Sequence, residues 1–126
     1  VFAHDQARHT LNQITHPAIR AAIVEQLEQA SSPYVMLVSP LLFESQQDAL
    51  TSRSLLIDAS IELQIQRASM RDGQSLEQIQ NIIAAQMSRE QKQQRADDIV
   101  LNDGELEHLY AQLRSLHLKY LALSEQ

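Results

Sequence analysis

Glycine is the residue that most limits what this chain can fold into, because only two occur among its 126 residues. Phosphate-binding loops of the Gly-x-x-x-x-Gly-Lys-Ser/Thr type and Gly-x-Gly-x-x-Gly dinucleotide fingerprints need closely spaced glycines, so that backbone N–H groups can close around phosphates. Gly73 and Gly104 stand alone, and Lys92 and Lys119, the only lysines, are followed by Gln and Tyr. The sequence therefore contains no glycine-rich phosphate cradle.

The rest of the composition is ordinary for a globular chain. Hydrophobic residues make up 44% and charged residues 21%, and the length suits one domain with a modest core. No apolar run approaches the roughly 20 residues of a spanning helix, so we expect no membrane partner. The absence of cysteine excludes disulfides, zinc–thiolate sites and cysteine nucleophiles, and it fits a reducing compartment.

The charge is acidic overall but uneven along the chain. A net charge of -6 gives little drive for counterion release, so we expect no nucleic-acid partner. Half of the ten basic residues nevertheless fall within fewer than thirty positions, namely Arg67, Arg71, Arg89, Lys92 and Arg95. This local excess can hold a small polyanion, although such a run is also typical of a solvated face.

Short apolar runs alternate with helix signals. The runs at 34–38, 54–58 and 99–101 lack polar alternation, which is typical of strands covered on both faces of a parallel sheet. Helices are predicted at 17–30, 61–70, 76–87, 89–95 and from about 105 to 123. Pro17 is placed at a first helical position, and Ser60 at an N-cap. The order predicts an α/β fold with a parallel sheet.

Two capping boxes, Ser75 with Gln78 and Ser88 with Gln91, predict consecutive helices. The second, 89–95, has almost no apolar face, so we expect it to be mobile or held by a ligand. In a parallel sheet, ligands bind beyond the carboxyl ends of the strands, where 40–44, 58–60 and 102–104 fall. Arginines on a mobile helical pair above that edge suit phosphoryl transfer, because guanidinium forks match phosphoryl oxygens.

A series of short motifs runs along essentially the whole chain. They are, in order, THPAIR at 15–20, SPYV at 32–35, PLLFE at 40–44, QIQR at 64–67, RDG at 71–73, AQMSRE at 85–90, ADDIV at 96–100 and NDG at 102–104. Together these motifs resemble those of the dephospho-coenzyme A kinase family. The family consists of P-loop kinases that phosphorylate the ribose 3′-hydroxyl of dephospho-coenzyme A with ATP and Mg²⁺. The resemblance implies that residues 1–33 are the tail of a helical coenzyme A domain, 34–66 and 97–126 a kinase core, and 67–96 a lid.

The resemblance also implies three groups of site residues and a cytoplasmic location. The candidate catalytic residues, which would face phosphates, are Arg67, Arg71 and Arg89. Those beside the adenine of ATP are Asn102, Asp103 and Gly104. Those toward dephospho-coenzyme A are His16, Arg20, Leu42, Phe43 and Glu44. No metal site is predicted, because the histidines show no ligand spacing on a common element.

The chain departs from the family in one large respect. The family's Walker A loop, first strand and Asp-Ala-Asp segment, expected to supply the general base, are not in this sequence. We therefore expect a partial P-loop kinase fold, a carboxyl-terminal fragment whose sheet lacks its first and central strand. It should be inactive alone, and it should self-associate through the strand edges left exposed at 34–38 and 54–58.

Plainer interpretations stay open at this point. His16 and Glu44 can each serve as helix caps, and Asn102 can serve the turn alone. Asp97 and Asp98 look like a metal pair, but neighbours on a strand point to opposite faces, so we expect one of them to pair with an arginine. At the level of function, the alternatives are a non-enzymatic helical interaction or regulatory module and another P-loop small-molecule kinase.

Overall fold

The computed structural model describes the backbone of residues 5–125 and the side chains of residues 11, 13 and 15–125. The chain divides into two compact units, residues 1–36 and 37–126. The first four residues of the predicted coenzyme A tail lie outside the described part. The elements are α1 (Asp5–Gln29), β1 (Leu55–Asp58), α2 (Ile61–Asp72), α3 (Leu76–Ala85), α4 (Arg89–Arg95), β2 (Asp98–Leu101) and α5 (Leu106–Ser124), with a short 3-10 helix at Gln47–Leu50.

The first unit is built on α1, a single helix that is longer than predicted. Pro17 lies inside this helix and not at its first position, so that prediction is wrong. Proline's fixed φ is compatible with a helix, and its lack of an N–H removes one backbone hydrogen bond without ending the helix here. None of the helices in the described part of the chain combines the length and apolar character that crossing a membrane requires.

The segment 34–38 is not a strand, which corrects the prediction of three strands. It has no regular secondary structure, and the exposed fractions of Val35, Met36 and Val38 are 50%, 59% and 87%. A strand exists only where a neighbour completes its hydrogen-bond ladder. No described residue supplies that ladder, so this apolar run forms no strand and most of its side chains are exposed.

The sheet consists of two parallel strands in the second unit. Leu55 pairs with Asp98, and the register continues to Asp58 with Leu101. The far edge of β2 is occupied by Gln112 of α5, whose amide oxygen accepts from the Leu101 N–H at 3.0 Å and whose amide nitrogen donates to the Leu101 carbonyl at 2.9 Å. Within the described part, β1 has no partner other than β2, so its other edge is unpaired.

Local capping signals define the helices of the second unit as the sequence predicts. Ser60, Ser75 and Ser88 begin α2, α3 and α4, and each side chain accepts from a backbone N–H three residues on. Both predicted capping boxes are present. Gly73, with a φ of 64°, ends α2 in the left-handed conformation that glycine adopts at little cost.

The core of the described part is small. Its buried hydrophobic side chains are those of Phe43, Ile79 and Val100. Polar residues are buried as well, chiefly Asp58 and Asp98, which are 3% and 8% exposed as whole residues. Because so little apolar surface is enclosed, ion pairs and hydrogen bonds position much of this α/β unit.

Candidate functional site

An open cleft of about 330 Å³ lies at the carboxyl end of β1. Its walls come from the end of β1, the start of α2, the loop between α3 and α4, and α4 itself. The polar side chains that line it include Asp58, Gln64, Ser88, Arg89 and Lys92. This is the edge at which parallel sheets bind ligands, and the cleft brings two cations to it.

Asp58 and Arg89 form the best-buried ion pair of the cleft. The Nε and Nη2 atoms of Arg89 donate to the two carboxylate oxygens of Asp58 at 2.8 and 3.1 Å. Gln93, one turn further along α4, donates to the same carboxylate at 2.8 Å. Burial alone would raise the pKa of Asp58, but the hydrogen bonds from Arg89 and Gln93 outweigh it, and the pKa lies below its usual value. Asp58 therefore stays ionised at neutral pH.

The helix α4 is also attached at both ends to the segment 43–48. The Glu44 carboxylate accepts from the Met87 N–H at 3.1 Å, just before α4 begins. At the other end, Arg95 donates to Asp48 at 3.0 Å and stacks over the Phe43 ring, 4.7 Å from its centroid. In the described structure α4, which buries no residue, is thus held by carboxylates of other elements, an arrangement the sequence-based expectation did not include.

The three arginines that resemblance predicts to face phosphates are in different surroundings. Arg89 lines the cleft. Arg67, on α2, donates to the backbone carbonyl of Asn102, which follows β2. Arg71 makes a two-bond contact with its neighbour Asp72 at 2.8 Å, its side chain is 76% exposed, and it is not among the residues that line the cleft.

The residues expected beside adenine follow β2 directly. Asn102 is half-buried, and its N–H donates to the Asp58 carbonyl at 2.8 Å, continuing the parallel ladder past the end of β2. Asp103 and Gly104 are exposed in the bend that leads to α5. The contact with Arg67 brings one predicted phosphate-facing residue to this turn.

The residues expected toward dephospho-coenzyme A fall into two sets. Leu42, Phe43 and Glu44 lie in the turn before the 3-10 helix, where Phe43 is 7% exposed and Glu44 is tied to the Met87 N–H. His16 and Arg20 belong to the first unit, four residues apart on one exposed face of α1. Within the second unit, Glu44 of the first set contacts the loop that lines the cleft.

Asp98, at the start of β2, is the centre of a second charged network. It accepts from Arg53 at 3.2 and 3.1 Å, from Lys119 at 2.8 Å and from the Tyr120 hydroxyl at 2.7 Å. Burial opposes ionisation of Asp98, but these donors prevail and hold its pKa far below the usual value. Burial and the nearby carboxylate raise the pKa of Tyr120. The expectation that one of the two adjacent aspartates pairs with an arginine is confirmed.

The other member of the aspartate pair is used locally. Asp97 accepts from the backbone N–H of Ser54 at 2.8 Å and from its hydroxyl at 3.2 Å. The described residues contain no group of three or more His, Asp or Glu side chains able to hold a metal ion. The two aspartates thus fasten β2 to the residues around β1.

Sequence reasoning missed three residues that build this region. They are Asp48, Gln93 and Gln112, which contact Arg95, Asp58 and Leu101 respectively. Asp48 and Gln93 reach partners 47 and 35 residues away in the chain. No local pattern marks an aspartate or a glutamine for such a contact, and only Asp58 carried a signal, its place at the end of a predicted strand.

Comparisons with known proteins were made on sequence and on fold. The family model for dephospho-CoA kinase matches residues 1–108. Dephospho-CoA kinases of Acinetobacter baylyi and Pseudoalteromonas translucida are 68% and 51% identical over 96% and 98% of this chain. The chain spans 62% and 59% of the length of these relatives. The crystal structure of TT1252 from Thermus thermophilus superimposes with a TM-score of 0.81 and 32% identity, over 94% of this chain and 62% of that one.

Proposed function

Because the chain belongs to the dephospho-CoA kinase family, we propose that it serves the ATP-dependent phosphorylation of the ribose 3′-hydroxyl of dephospho-coenzyme A, the last step in making coenzyme A. The geometry that supports this is the cleft at the carboxyl end of β1, where Arg89 is held in a fixed orientation by Asp58 and Lys92 adds a second cation. Phosphoryl transfer depends on such positioned cations, since negative charge spreads over the phosphoryl oxygens in the transition state.

Arg89 and Arg67 are the arginines whose surroundings best support a role near phosphates. Arg89 lines the cleft, and Arg67 lies at the Asn102 turn, where the adenine of ATP is proposed to bind. Arg71 contacts only its exposed neighbour Asp72 among the described residues, so its role requires movement of the segment that follows α2. We therefore expect substitution of Arg89 to lower turnover more than substitution of Arg71.

The substrates are proposed to bind on two sides of the cleft. Asn102, Asp103 and Gly104 are proposed for ATP, which brings Mg²⁺ as part of the co-substrate. The acceptor is proposed to contact Leu42, Phe43 and Glu44, and the motif resemblance assigns His16 and Arg20 to the same substrate. These assignments rest on the motif resemblance, together with the position of the first two groups around the sheet edge.

The proposed domain assignment has three parts. Residues 1–33 are the tail of a helical coenzyme A domain, residues 34–66 and 97–126 form an incomplete kinase core, and residues 67–96 form a lid. The lid assignment is supported by α3 and α4, two capped helices joined by a short loop, the second of which buries nothing. The helix α2 runs unbroken through positions 66 and 67, so we place any hinge after Gly73. A cytoplasmic location is proposed from the reaction's need for ATP.

The test compares the protein encoded by the complete reading frame with the 126-residue chain. The complete protein should phosphorylate dephospho-coenzyme A with ATP, measured by formation of ADP and coenzyme A. The chain alone should show no turnover, because its sequence contains no Walker A motif. In the complete protein, Arg89→Met should reduce kcat by about 1,000-fold or more, the lower end of the range by which an arginine supplied to a phosphoryl transition state raises kcat.

The matched control is Arg114→Met, which removes an exposed arginine from α5 and should leave the rate unchanged. A complete protein that phosphorylates another small molecule in place of dephospho-coenzyme A would contradict the proposal and favour a different P-loop kinase. Turnover by the 126-residue chain would contradict the proposed inactivity.

We also propose that the isolated chain self-associates. The support is the unpaired edge of β1 together with exposed Ile57, 49% accessible on that strand, since an uncovered edge is a template for pairing. Sedimentation at several concentrations should show a mass that rises with concentration. Ile57→Lys should suppress this, because charge on an edge strand opposes pairing, and a compact monomer at all concentrations would refute it.

A further inference from the structure

Arg89 is bound through one edge of its guanidinium group. Its Nε and Nη2 atoms donate to Asp58, and no other described residue accepts a hydrogen bond from it. A guanidinium carries five N–H donors in a planar fork. The edge between Nη1 and Nη2 therefore keeps outward-pointing donors, and Arg89 can take a second two-oxygen partner without releasing Asp58.

Asp58 is itself immobilised. It is the last residue of β1, it is 3% exposed, and it accepts a third hydrogen bond from Gln93. Gln93 lies four residues after Arg89 on α4, so both side chains reach the carboxylate from the same face of the helix. A buried, ionised carboxylate at the end of a strand, contacted twice by one helix, fixes where the guanidinium plane lies.

We propose that Asp58 is a positioning residue for phosphoryl transfer: it orients Arg89 so that the free Nη1–Nη2 edge meets two anionic oxygens of the transferred phosphoryl group. This proposal rests on the proposed function. A fixed guanidinium needs no reorientation as charge develops, which is the advantage that preorganised donors give a transition state. The carboxylate of Asp58 offsets the positive charge of Arg89. Lys92 lines the same cleft, so the cleft still carries a net positive charge from these three side chains.

The competing role for Asp58 is that of a simple counter-charge, and the two roles predict opposite kinetics. Asp58→Asn preserves the side-chain shape while removing the charge and one of the two acceptor oxygens. If Asp58 only lowers the local positive potential, the variant binds ATP more tightly and kcat is kept. If Asp58 orients Arg89, kcat falls and the KM for ATP changes little, since the lost interaction belongs to the transition state.

The experiment measures steady-state kinetics of the complete protein with both substrates. We expect Asp58→Asn to lower kcat at least 10-fold with less than a threefold change in the KM for ATP. The double variant Asp58→Asn/Arg89→Met should be no slower than Arg89→Met, because Asp58 acts through Arg89. Glu107→Gln, which removes an exposed carboxylate at the start of α5, is the matched control and should match the wild type.

Three results would overturn the proposal: unchanged kcat in Asp58→Asn, a lower KM for ATP as the sole change, or additive losses in the double variant. Gln93→Ala is a second variant that keeps the proposal testable if Asp58→Asn does not fold. It removes one hydrogen bond to the Asp58 carboxylate and leaves the ion pair with Arg89 in place. It should lower kcat in the same direction by a smaller factor, and an unchanged kcat there also counts against the proposal.

A nuclear magnetic resonance measurement separates this proposal from the proposed function. The Nε–H of Arg89 should give a slowly exchanging side-chain signal that exchanges much faster in Asp58→Asn, because the charge and one acceptor oxygen are lost. An unchanged exchange rate in the variant overturns the positioning contact even if the enzyme is active. A complete protein with the Asp58-dependent signal and no dephospho-coenzyme A kinase activity overturns the proposed function, and with it the catalytic role given to the contact.

Discussion

Replacing Asp98 with asparagine removes the charge at the centre of the network that joins the sheet to α5. The carboxylate side chain is 7% exposed and accepts four hydrogen bonds, two from Arg53 and one each from Lys119 and Tyr120. Asparagine has the same shape, but it offers one acceptor oxygen and turns an NH₂ group toward donors. The substitution therefore isolates the electrostatic contribution of the network from packing.

The loss in free energy of unfolding depends on how far water can replace the hydrogen bonds that each donor loses. Removing one member of a buried ion pair costs about 3–5 kcal/mol. The Arg53 and Lys119 side chains are 36% and 45% exposed, so solvent recovers much of their loss. The Tyr120 hydroxyl is less accessible, and its bond to a charged acceptor contributes about 1.5 kcal/mol or more. We expect Asp98→Asn to lower the free energy of unfolding by about 2 kcal/mol.

The assay is urea denaturation followed by circular dichroism at neutral pH. The midpoint should fall with an unchanged slope, since the surface exposed on unfolding is the same, and the melting temperature should drop by roughly 8 °C. Glu125→Gln, at the exposed carboxyl end of α5, is the control and should change stability by less than about 0.5 kcal/mol. A loss in Asp98→Asn no larger than in this control would refute the reasoning.

Four further outcomes are expected. On acidification the wild type should lose stability more steeply than Asp98→Asn. The folded-state pKa of Asp98 is lowered from 3.8, so the stabilisation by its charge is present above about pH 4 and is lost as the pH falls below that value. Acid titrations of ellipticity that run parallel for the two proteins would contradict this. Arg95→Met should cost about 1 kcal/mol through the lost contact with the Phe43 ring, with Arg95→Lys intermediate in urea midpoint. Gly73→Ala should cost about 1 kcal/mol for its positive φ alone, since no atom lies within 4 Å of the added Cβ, and Gly73→Asn should melt higher than Gly73→Ala. Ser88→Ala should cost about 1 kcal/mol and speed hydrogen exchange in α4 while leaving α3 unchanged.

Local structure was predictable wherever the signal and its partner lie within one turn of each other. Ser75 with Gln78 and Ser88 with Gln91 were both recognisable, because capping depends on a few neighbouring residues. The parallel sheet was predictable as a class from apolar runs followed by helix signals. These features are decided by short-range sterics and hydrogen bonding.

Features that depend on distant partners were not predictable in the same way. The run 34–38 has the composition of a strand, but pairing requires a neighbour that no described residue provides. Pro17 fits both a helix start and a helix interior, and the sequence before it decides between them only weakly. Gln112 looks like any surface glutamine, yet it completes the hydrogen bonding of Leu101.

The pairing of β1 with β2 also sets the order in which the second unit can fold. Ser54 and Asp97, which meet at the start of the two strands, are 43 residues apart in the chain, and closing a loop of that length costs about 3 kcal/mol or more in chain entropy. The capped helices between them can form within microseconds, whereas the strand pair must wait for that closure. Helical structure should therefore develop before the sheet in refolding. The backbone amides of the two strands that contain Asp58 and Asp98 should be the last to become protected from hydrogen exchange.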